Sequence, residues 1–325
     1  MLNFYQIARN TFRECLREPI FFILLATALV LIGLFPSMSL FVFREQIKLV
    51  VDSAMATTLV FGLIAAVLCA SHTVSREMRN GTVLLLMSKP VYRWVFIMSK
   101  IVGVSAALVL FVFLCNCATL ISLKIAKDQF WLDFALMYIY FGLIAASAIV
   151  GGLRNFVAKA SFASNSIFSL LILIPVLTLV YILMPEGTHT DDGYNILRVI
   201  PALILIFYSV CIMGVITVAL STRFDMVPNL TLSAAIFFLG LLSGYFLNLG
   251  IEQDNVFISG IAKVLYGILP NWQFFWLADA LAANKVIPVS YICWATAYAL
   301  FYIMLCSLWA LALFQNREMA KDTVN

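Results

Sequence analysis

Long apolar runs separated by short polar segments occupy the chain from residue 20 to residue 314. Most of these runs approach or exceed the ~20 residues that a helix needs to cross the hydrocarbon core of a bilayer. The pattern predicts an all-α polytopic membrane protein with about eight transmembrane helices, within a range of six to eight. The eight predicted spans are residues 20–43, 53–75, 101–125, 132–153, 162–184, 196–221, 227–246 and 289–314.

Residues 1–19 show the periodicity of an amphipathic helix that ends at Pro19. Its apolar side and its arginine-bearing edge are formed by Tyr5, Ala8, Phe12, Cys15 and Leu16, and by Arg9, Arg13 and Arg17. Such a helix suits the membrane interface, with its aromatic side at the acyl boundary and its arginines at the phosphates. We therefore expect an N-terminal interfacial elbow helix. The alternative is an ordinary solvated cytoplasmic leader.

The longest charged interruption, residues 75–103, joins the second and third predicted spans. It contains one anion, Glu77, and five cations, which are Arg76, Arg79, Lys89, Arg93 and Lys100. Proline disfavours helix at the residue before it and suits the first turn of a helix. We therefore expect a short helix, a break at residues 88–89 and a second helix that begins near Pro90. Such a segment lies on lipid, docks into another protein or is a solvated loop.

Composition and charge place the chain in a membrane and orient it. The chain is 64% hydrophobic and 11% charged, whereas about a quarter of the residues in soluble domains are charged. With eight spans and the N-terminus inside, the inner segments hold thirteen Lys and Arg against six Asp and Glu. The outer segments hold seven against ten. This bias predicts a multi-pass protein of the cytoplasmic (inner) membrane, with both termini in the cytoplasm.

Three regions follow from this pattern: an elbow helix (1–19), a transmembrane domain (20–314) and a cytoplasmic tail (315–325). The domain includes a cytoplasmic segment, 75–100, and a connector before the last span, 247–288. Aromatic residues crowd around Pro270 in this connector: Tyr266, Trp272, Phe274, Phe275 and Trp276. Because Trp and Tyr prefer the headgroup level, we expect short helices at the outer interface. Two alternatives are a segment that re-enters the membrane and a lateral gate or substrate contact.

The sequence lacks the usual signatures of an enzyme or an ion-coupled carrier. It contains no GxxxxGK[ST], HExxH or GxSxG motif. Ionisable residues, which are expensive inside a bilayer and usually functional there, are nearly absent from the span interiors. The cysteines mostly lie in apolar runs as small buried hydrophobes. We therefore predict no catalytic, cofactor-binding or metal-binding residues in this chain. The basic residues cluster mainly at the inner membrane face, which also argues against a nucleic-acid partner.

The segment between the second and third spans resembles a motif of ABC-2 type ABC transporter permeases. That motif has the form E-x-x-x-G-T-[LV]-x-x-L-x-[ST]-[KR]-P-[VI]-x-R-x-x-[FI]-x-x-[SG]-K-x-x-G. The matching residues are Glu77, Gly81-Thr82-Val83, Leu86, Ser88-Lys89-Pro90-Val91, Arg93, Phe96, Ser99-Lys100 and Gly103. The closest similarity is to the permeases of nitrous-oxide-reductase maturation and gliding motility. The elbow helix, the Leu269-Pro270…Phe274 segment and a tail with Phe314, Arg317 and Glu318 also agree with the family.

The resemblance implies a dimer of two permease chains, the second a copy or a homologue. Each chain presents its cytoplasmic segment as a coupling helix to a separate ABC-type ATPase, which holds ATP and Mg. By the same resemblance, Glu77, Arg79, Gly81 and Thr82 lie near the docking tip. Pro90 opens the following helix, and Lys89, Arg93 and Lys100 anchor that helix to anionic membrane lipid or to the ATPase. The family commonly has six spans, so the extra pair predicted here lies among spans four to seven.

The sequence therefore predicts the permease subunit of an ATP-driven ABC exporter, a non-catalytic membrane subunit that couples ATP hydrolysis to transport. One alternative is an ATPase-linked complex that transmits force or assembles other proteins without a transport pore. A less favoured alternative is a secondary carrier, which would show internal repeats and an ion site at the middle of the membrane. The apolar, uncharged span interiors favour lipidic, polymeric or hydrophobic cargo over small ions.

Overall fold

The computed structural model describes residues 2–38, 46–79, 92–126, 132–183, 199–245, 248, 256–277, 280–281, 285 and 287–315. All regular elements in these ranges are helical, which confirms the all-α prediction. The helices are α1 (Leu2–Arg17), α2 (Pro19–Met38), α3 (Gln46–Ala70), α4 (Arg93–Ile125), α5 (Phe134–Ala158), α6 (Phe162–Leu183), α7 (Ile200–Ser221), α8 (Met226–Leu241), α9 (Val256–Ile268) and α10 (Val289–Gln315). A π-helical turn (Ser71–Ser75) and a further turn (Arg76–Arg79) continue α3, and a 3₁₀ helix (Trp272–Phe275) follows α9.

Seven helices in the described ranges are long and apolar enough to cross a membrane, so the protein is a multi-pass membrane protein. They are α2, α3 with its continuation to Arg79, α4, α5, α6, α7 and α10. Seven lies within the predicted range of six to eight. The predicted seventh span corresponds to α8, which has 16 residues and is therefore only ~24 Å long.

Contacts between helix ends define one side of the helix bundle. Glu18, just before α2, contacts His72 beyond the end of α3. Arg93, at the start of α4, donates to the last carbonyl of α10 at 3.3 Å. Arg223, just after α7, donates at 3.0 Å to a carbonyl in the last turn of α10. We call this side, where Arg76, Arg93 and Arg223 lie, the basic face.

The path of α8 completes an eighth crossing. Asp225 precedes α8 and accepts a 2.9 Å hydrogen bond from Ser75, so α8 starts at the basic face. Helix α10 ends at the basic face after 27 residues, or ~40 Å, and so begins at the opposite side. The chain must therefore cross between these two points. Helix α8 and residues 243–245, which are also helical, together cover ~30 Å, the thickness of the hydrocarbon core.

The second and third spans extend further towards the basic face than the apolar runs predicted. The second ends at Arg79 instead of residue 75, and α4 begins at Arg93 instead of residue 101. The extension is stable because Glu77 and Lys100, one on each helix, form an ion pair. The predicted break at residues 88–89 and the helix start at Pro90 lie outside the described residues.

Helices α3, α4 and α7 form the centre of the bundle, and α5, α6 and α10 lie at its periphery. Buried hydroxyl groups join the spans through backbone carbonyls. Tyr140 of α5 donates to Leu29 of α2 at 2.7 Å, and Ser122 of α4 donates to Ile32 of α2 at 2.8 Å. Such bonds satisfy polar groups that would otherwise lie in hydrocarbon, and they fix how neighbouring spans are rotated against each other.

Helix α1 packs against protein more than the elbow prediction implied. The face that carries Ala8, Thr11 and Cys15 is buried, and it lies against α4. A Cβ atom at Gly103 of α4 would lie 2.6 Å from Thr11 Cβ, so only glycine permits this approach. The apolar side therefore docks on α4 instead of in the acyl boundary. Tyr5, which is 64% exposed, and the three arginines point away from the bundle.

The connector before α10 re-enters the bundle, which was an alternative to the predicted interfacial location. Trp272 and Phe275 are buried, and Trp272 packs on Phe237 of α8 with ring centroids 5.9 Å apart. Tyr298 of α10 accepts a hydrogen bond from Asn271 N–H at 3.0 Å. Because Tyr298 follows the start of α10 by nine residues, this turn lies ~14 Å along the helix axis from the first residue of α10. Two of the aromatic residues expected in an interfacial belt, Trp272 and Phe275, are thus buried within the helix bundle.

Candidate functional site

A π-helical turn interrupts the regular backbone pattern where α3 reaches the basic face. The Arg76 N–H bonds to the carbonyl of Ser71, five residues earlier. Such a turn inserts one extra residue and changes the direction in which the following side chains point, and π turns are frequent at functional sites. Thr73 is buried in the turn and donates to the Cys69 carbonyl at 2.7 Å, which satisfies a carbonyl near the distorted backbone.

His72 in this turn lies between the carboxylate of Glu18 and the guanidinium of Arg76. Its Nε2 lies 2.8 Å from Glu18 Oε1 and 2.9 Å from Arg76 Nη1. One ring nitrogen cannot donate to the carboxylate and accept from the guanidinium together. A ring protonated at Nε2 donates to Glu18, whereas a ring protonated only at Nδ1 accepts from Arg76. His72 therefore links the end of α3 to α2 in the first case and bonds only within the end of α3 in the second.

The start of α8 is fastened to the same turn. Asp225 accepts from Ser75 Oγ at 2.9 Å. Asn229, which is fully buried, donates to Ser71 Oγ at 3.3 Å and to the Thr217 carbonyl at 3.1 Å. Helices α3, α7 and α8 therefore meet in one polar network at the basic face.

Lys100 and Glu77 form an ion pair that is largely enclosed by protein. Lys100 Nζ lies 2.8 Å from Glu77 Oε1 and 3.9 Å from Glu14 Oε2, and its side chain is 3% exposed. The ammonium group also lies 5.7 Å from the centre of the Phe96 ring. The expected contact of Lys100 with lipid or with an ATPase stays a prediction, and within this chain its ammonium group is enclosed and paired with Glu77. Lys100 joins α1, α3 and α4.

The other predicted coupling residues fall into three groups. Arg93 is exposed and donates to the last carbonyl of α10, where a cation also complements the negative end of the helix dipole. Arg79 is exposed and contacts no acidic side chain in the described part of the chain. The predicted residues Gly81, Thr82, Lys89 and Pro90 lie outside the described residues. The structure therefore brings Glu77 and Lys100 together and leaves Arg79 apart from them.

Sequence reasoning missed three acidic residues at this site, Glu14, Glu18 and Asp225. Glu14 and Glu18 lie in the N-terminal segment and Asp225 lies between α7 and α8, so no spacing rule pairs them with a cation on α3 or α4. The one available signal was the spacing of His72 and Arg76, because residues four apart lie on the same face of a helix.

A cavity of about 330 Å³ lies beside the π turn. Its lining includes Glu18, His72, Arg76, Arg79 and Asp225, and is otherwise mostly apolar. In the described ranges, no three His, Cys, Asp or Glu side chains converge to form a metal site. The cavity is therefore a site for polar and apolar contacts together, with cations and carboxylates both in its lining.

Comparison with known proteins does not identify the chain. No protein-family model matches it, and no curated protein matches it either. The resemblance of residues 77–103 to ABC-2 type permeases therefore stays a prediction from the sequence.

Proposed function

We propose that the chain is the transmembrane permease subunit of an ABC-2 type ABC exporter. The observation that carries this proposal is the position of the motif. Its first residue, Glu77, and its last part, from Arg93 to Gly103, lie at the ends of the α3 continuation and of α4 at the basic face, where the Glu77–Lys100 pair joins the two helices. A segment held at both ends in this way suits a partner that pushes on it from outside the membrane.

The proposed mechanism is mechanical. A separate ABC-type ATPase binds ATP and Mg²⁺ and docks on residues 80–91 and the adjoining helix ends. Because Lys100 contacts Glu77 and lies near Glu14, α1, α3 and α4 move together when the segment is displaced. Helices α3 and α4 continue through the centre of the bundle, so this movement reaches the transmembrane path directly. This chain contributes force transmission and no catalytic group.

The peripheral hairpin explains why eight crossings exceed the six that are common in the family. Helices α5 and α6 are joined by a short link, residues 159–161, and pack along each other. Their membrane-spanning windows are only 28% and 33% buried, against 67% or more in α3, α4 and α7. We propose that α5 and α6 are the added pair, attached to a six-helix unit formed by α2, α3, α4, α7, α8 and α10.

The proposed orientation places the basic face in the cytoplasm of a cell with a cytoplasmic (inner) membrane. In a cysteine-free background, a single cysteine at Ser161 should react with an impermeant maleimide only after the cells are opened. Cysteines at Asp192 and Glu252, which lie outside the described residues, should react in intact cells. The reverse pattern would overturn the orientation.

Charge reversal at Arg79 tests the proposed docking. Arg79 is exposed, so Arg79→Glu should reduce co-purification of the ATPase several-fold while the amount of chain in the membrane stays unchanged. The matched control is Arg13→Glu, because Arg13 is an exposed arginine on α1 and is not part of the proposed docking segment. Equal recovery of the ATPase with both variants would refute a docking role for Arg79. Glu77 is less suitable, because its reversal also leaves buried Lys100 without its nearest partner.

A further inference from the structure

The lining of the cavity at the basic face includes exposed apolar side chains. Ile20 on α2 and Val227 on α8 both line it, and they are 51% and 71% exposed. Each follows an acidic residue of the lining, Glu18 or Asp225, by two positions. In a membrane-spanning bundle, this change from charged to exposed apolar residues is expected at the depth where lipid headgroups give way to acyl chains.

The charges around the cavity are balanced. Arg76 and Arg79 come from the end of α3, whereas Glu18 and Asp225 come from the ends of α2 and α8 on either side. These four side chains together have no net charge. A phosphate with an attached ammonium group matches both signs. A purely anionic headgroup would satisfy the arginines and would face two carboxylates.

The charged groups still have free hydrogen-bonding capacity. Arg79 contacts no acidic side chain in the described ranges, and Arg76 bonds to a ring nitrogen of His72. A guanidinium can bind a phosphate through two parallel hydrogen bonds. Asp225 accepts one hydrogen bond, from Ser75, at Oδ1, so its second oxygen can accept from an ammonium.

An apolar track leads from the cavity into the membrane. Leu68 lines the cavity, and Ile64 and Val60 follow it at successive helical turns on the same row of α3. Leu68 and Ile64 are half-buried, and Val60 is 46% exposed. This row covers ~12 Å along the helix, which is the scale of an acyl chain segment and not of a small soluble ion.

We propose that this cavity binds a zwitterionic phospholipid of the phosphatidylethanolamine type. Its phosphate lies at Arg76 and Arg79, its ammonium group lies at Glu18 and Asp225, and one acyl chain follows the row from Leu68 to Val60. The bound lipid joins α2, α3 and α8 at the basic face. This site shares Arg79 with the proposed ATPase docking segment, but its test needs no ATPase.

Lipid analysis of the purified full chain tests the site. The chain is reconstituted in nanodiscs of equal phosphatidylethanolamine and phosphatidylglycerol, extracted into mild detergent, and analysed by native mass spectrometry. The wild-type chain should retain phosphatidylethanolamine in excess of phosphatidylglycerol. Arg76→Gln with Arg79→Gln should lower its retention about tenfold, the loss expected for charge-assisted hydrogen bonds. Arg13→Gln, an exposed arginine outside the cavity, should retain lipid as the wild type does.

Two further variants separate the headgroup from the track. Asp225→Asn keeps an oxygen that can accept from Ser75 but removes a carboxylate, so it should shift retention from phosphatidylethanolamine towards phosphatidylglycerol. Leu68→Trp should fill the cavity and reduce the retention of both lipids. Each variant is compared only where its elution volume on size exclusion matches that of the wild type. The proposal would be overturned if the wild-type chain retained the two lipids in the ratio of the nanodisc, or if it preferred phosphatidylglycerol. It would also be overturned if the double arginine variant retained as much phosphatidylethanolamine as the wild type.

Discussion

For the buried ion pair Glu77–Lys100, we predict that removing one partner destabilises the chain more than removing the other. At 2.8 Å and an effective dielectric constant of about 20, their attraction is ~6 kcal/mol before desolvation is counted. Removing one partner of a buried pair costs ~3–5 kcal/mol, because the other charge stays buried and unpaired. The Lys100 side chain is 3% exposed and that of Glu77 is 31% exposed. The two single variants should therefore not be equivalent.

Glu77→Gln should lower the free energy of unfolding by ~3 kcal/mol, the low end of the range for broken buried pairs. The low end applies because Glu14, 3.9 Å away, still faces the ammonium group. Lys100→Met should cost only ~1 kcal/mol, since a half-buried carboxylate regains water and the methionine keeps the packing of the lysine stem. The double variant should resemble Lys100→Met, which gives a coupling energy of ~3 kcal/mol.

The measurement is reversible unfolding in mixed micelles, followed by tryptophan fluorescence, for the wild type and the three variants. Glu14→Gln serves as a control, because its longer distance and 40% exposure predict a loss below ~1 kcal/mol. The reasoning is refuted if Lys100→Met destabilises the chain as much as Glu77→Gln, or if the effects of the two single variants add in the double variant. In either case, the burial of Lys100 does not determine the loss of stability.

Two further predictions concern packing. Gly103→Ala should loosen α1 from α4, because the new Cβ would lie 2.6 Å from Thr11 Cβ; faster protease cleavage within α1 is the readout, and cleavage at the wild-type rate would contradict it. Tyr140→Phe should lower the free energy of unfolding by ~1 kcal/mol through the lost hydrogen bond to Leu29. The control Tyr138→Phe, at a 70% exposed position of α5, should change it little, and equal effects of the two would refute the assignment.

The number of spans and their approximate limits could be predicted from the sequence, because a membrane span is a local property of ~20 residues. Helix α8 shows that helix length alone does not identify every membrane span. Its 16 residues are too few on their own, and its crossing follows only from the helix ends with which it shares the basic face. The packing of α1 was also beyond reach. Its apolar face suits contact with lipid or with protein equally well. The sequence around Gly103 does not indicate which helix packs against this glycine.

The candidate site could be predicted only in part. The charged segment between α3 and α4 stands out in the sequence, and two of its charges do meet in the structure as Glu77 and Lys100. The burial of Lys100 in this pair could not be predicted, because a hydropathy scale gives lysine the same value whether or not a carboxylate neutralises it. The link between His72 and Glu18 and the link between Ser75 and Asp225 join segments far apart in sequence. Such contacts depend on the fold and on no local pattern.

Photo-crosslinking beside the proposed docking segment tests the central claim most directly. Tyr92, which is 74% exposed, immediately precedes α4 at the basic face, and benzoylphenylalanine replaces it with little change in size. Irradiation in native membranes should attach an ABC-type ATPase at position 92. The same probe at Tyr138, exposed on α5 near the opposite side, should not capture it. Failure to capture an ABC-type ATPase at position 92, or equal capture at both positions, would contradict the permease assignment.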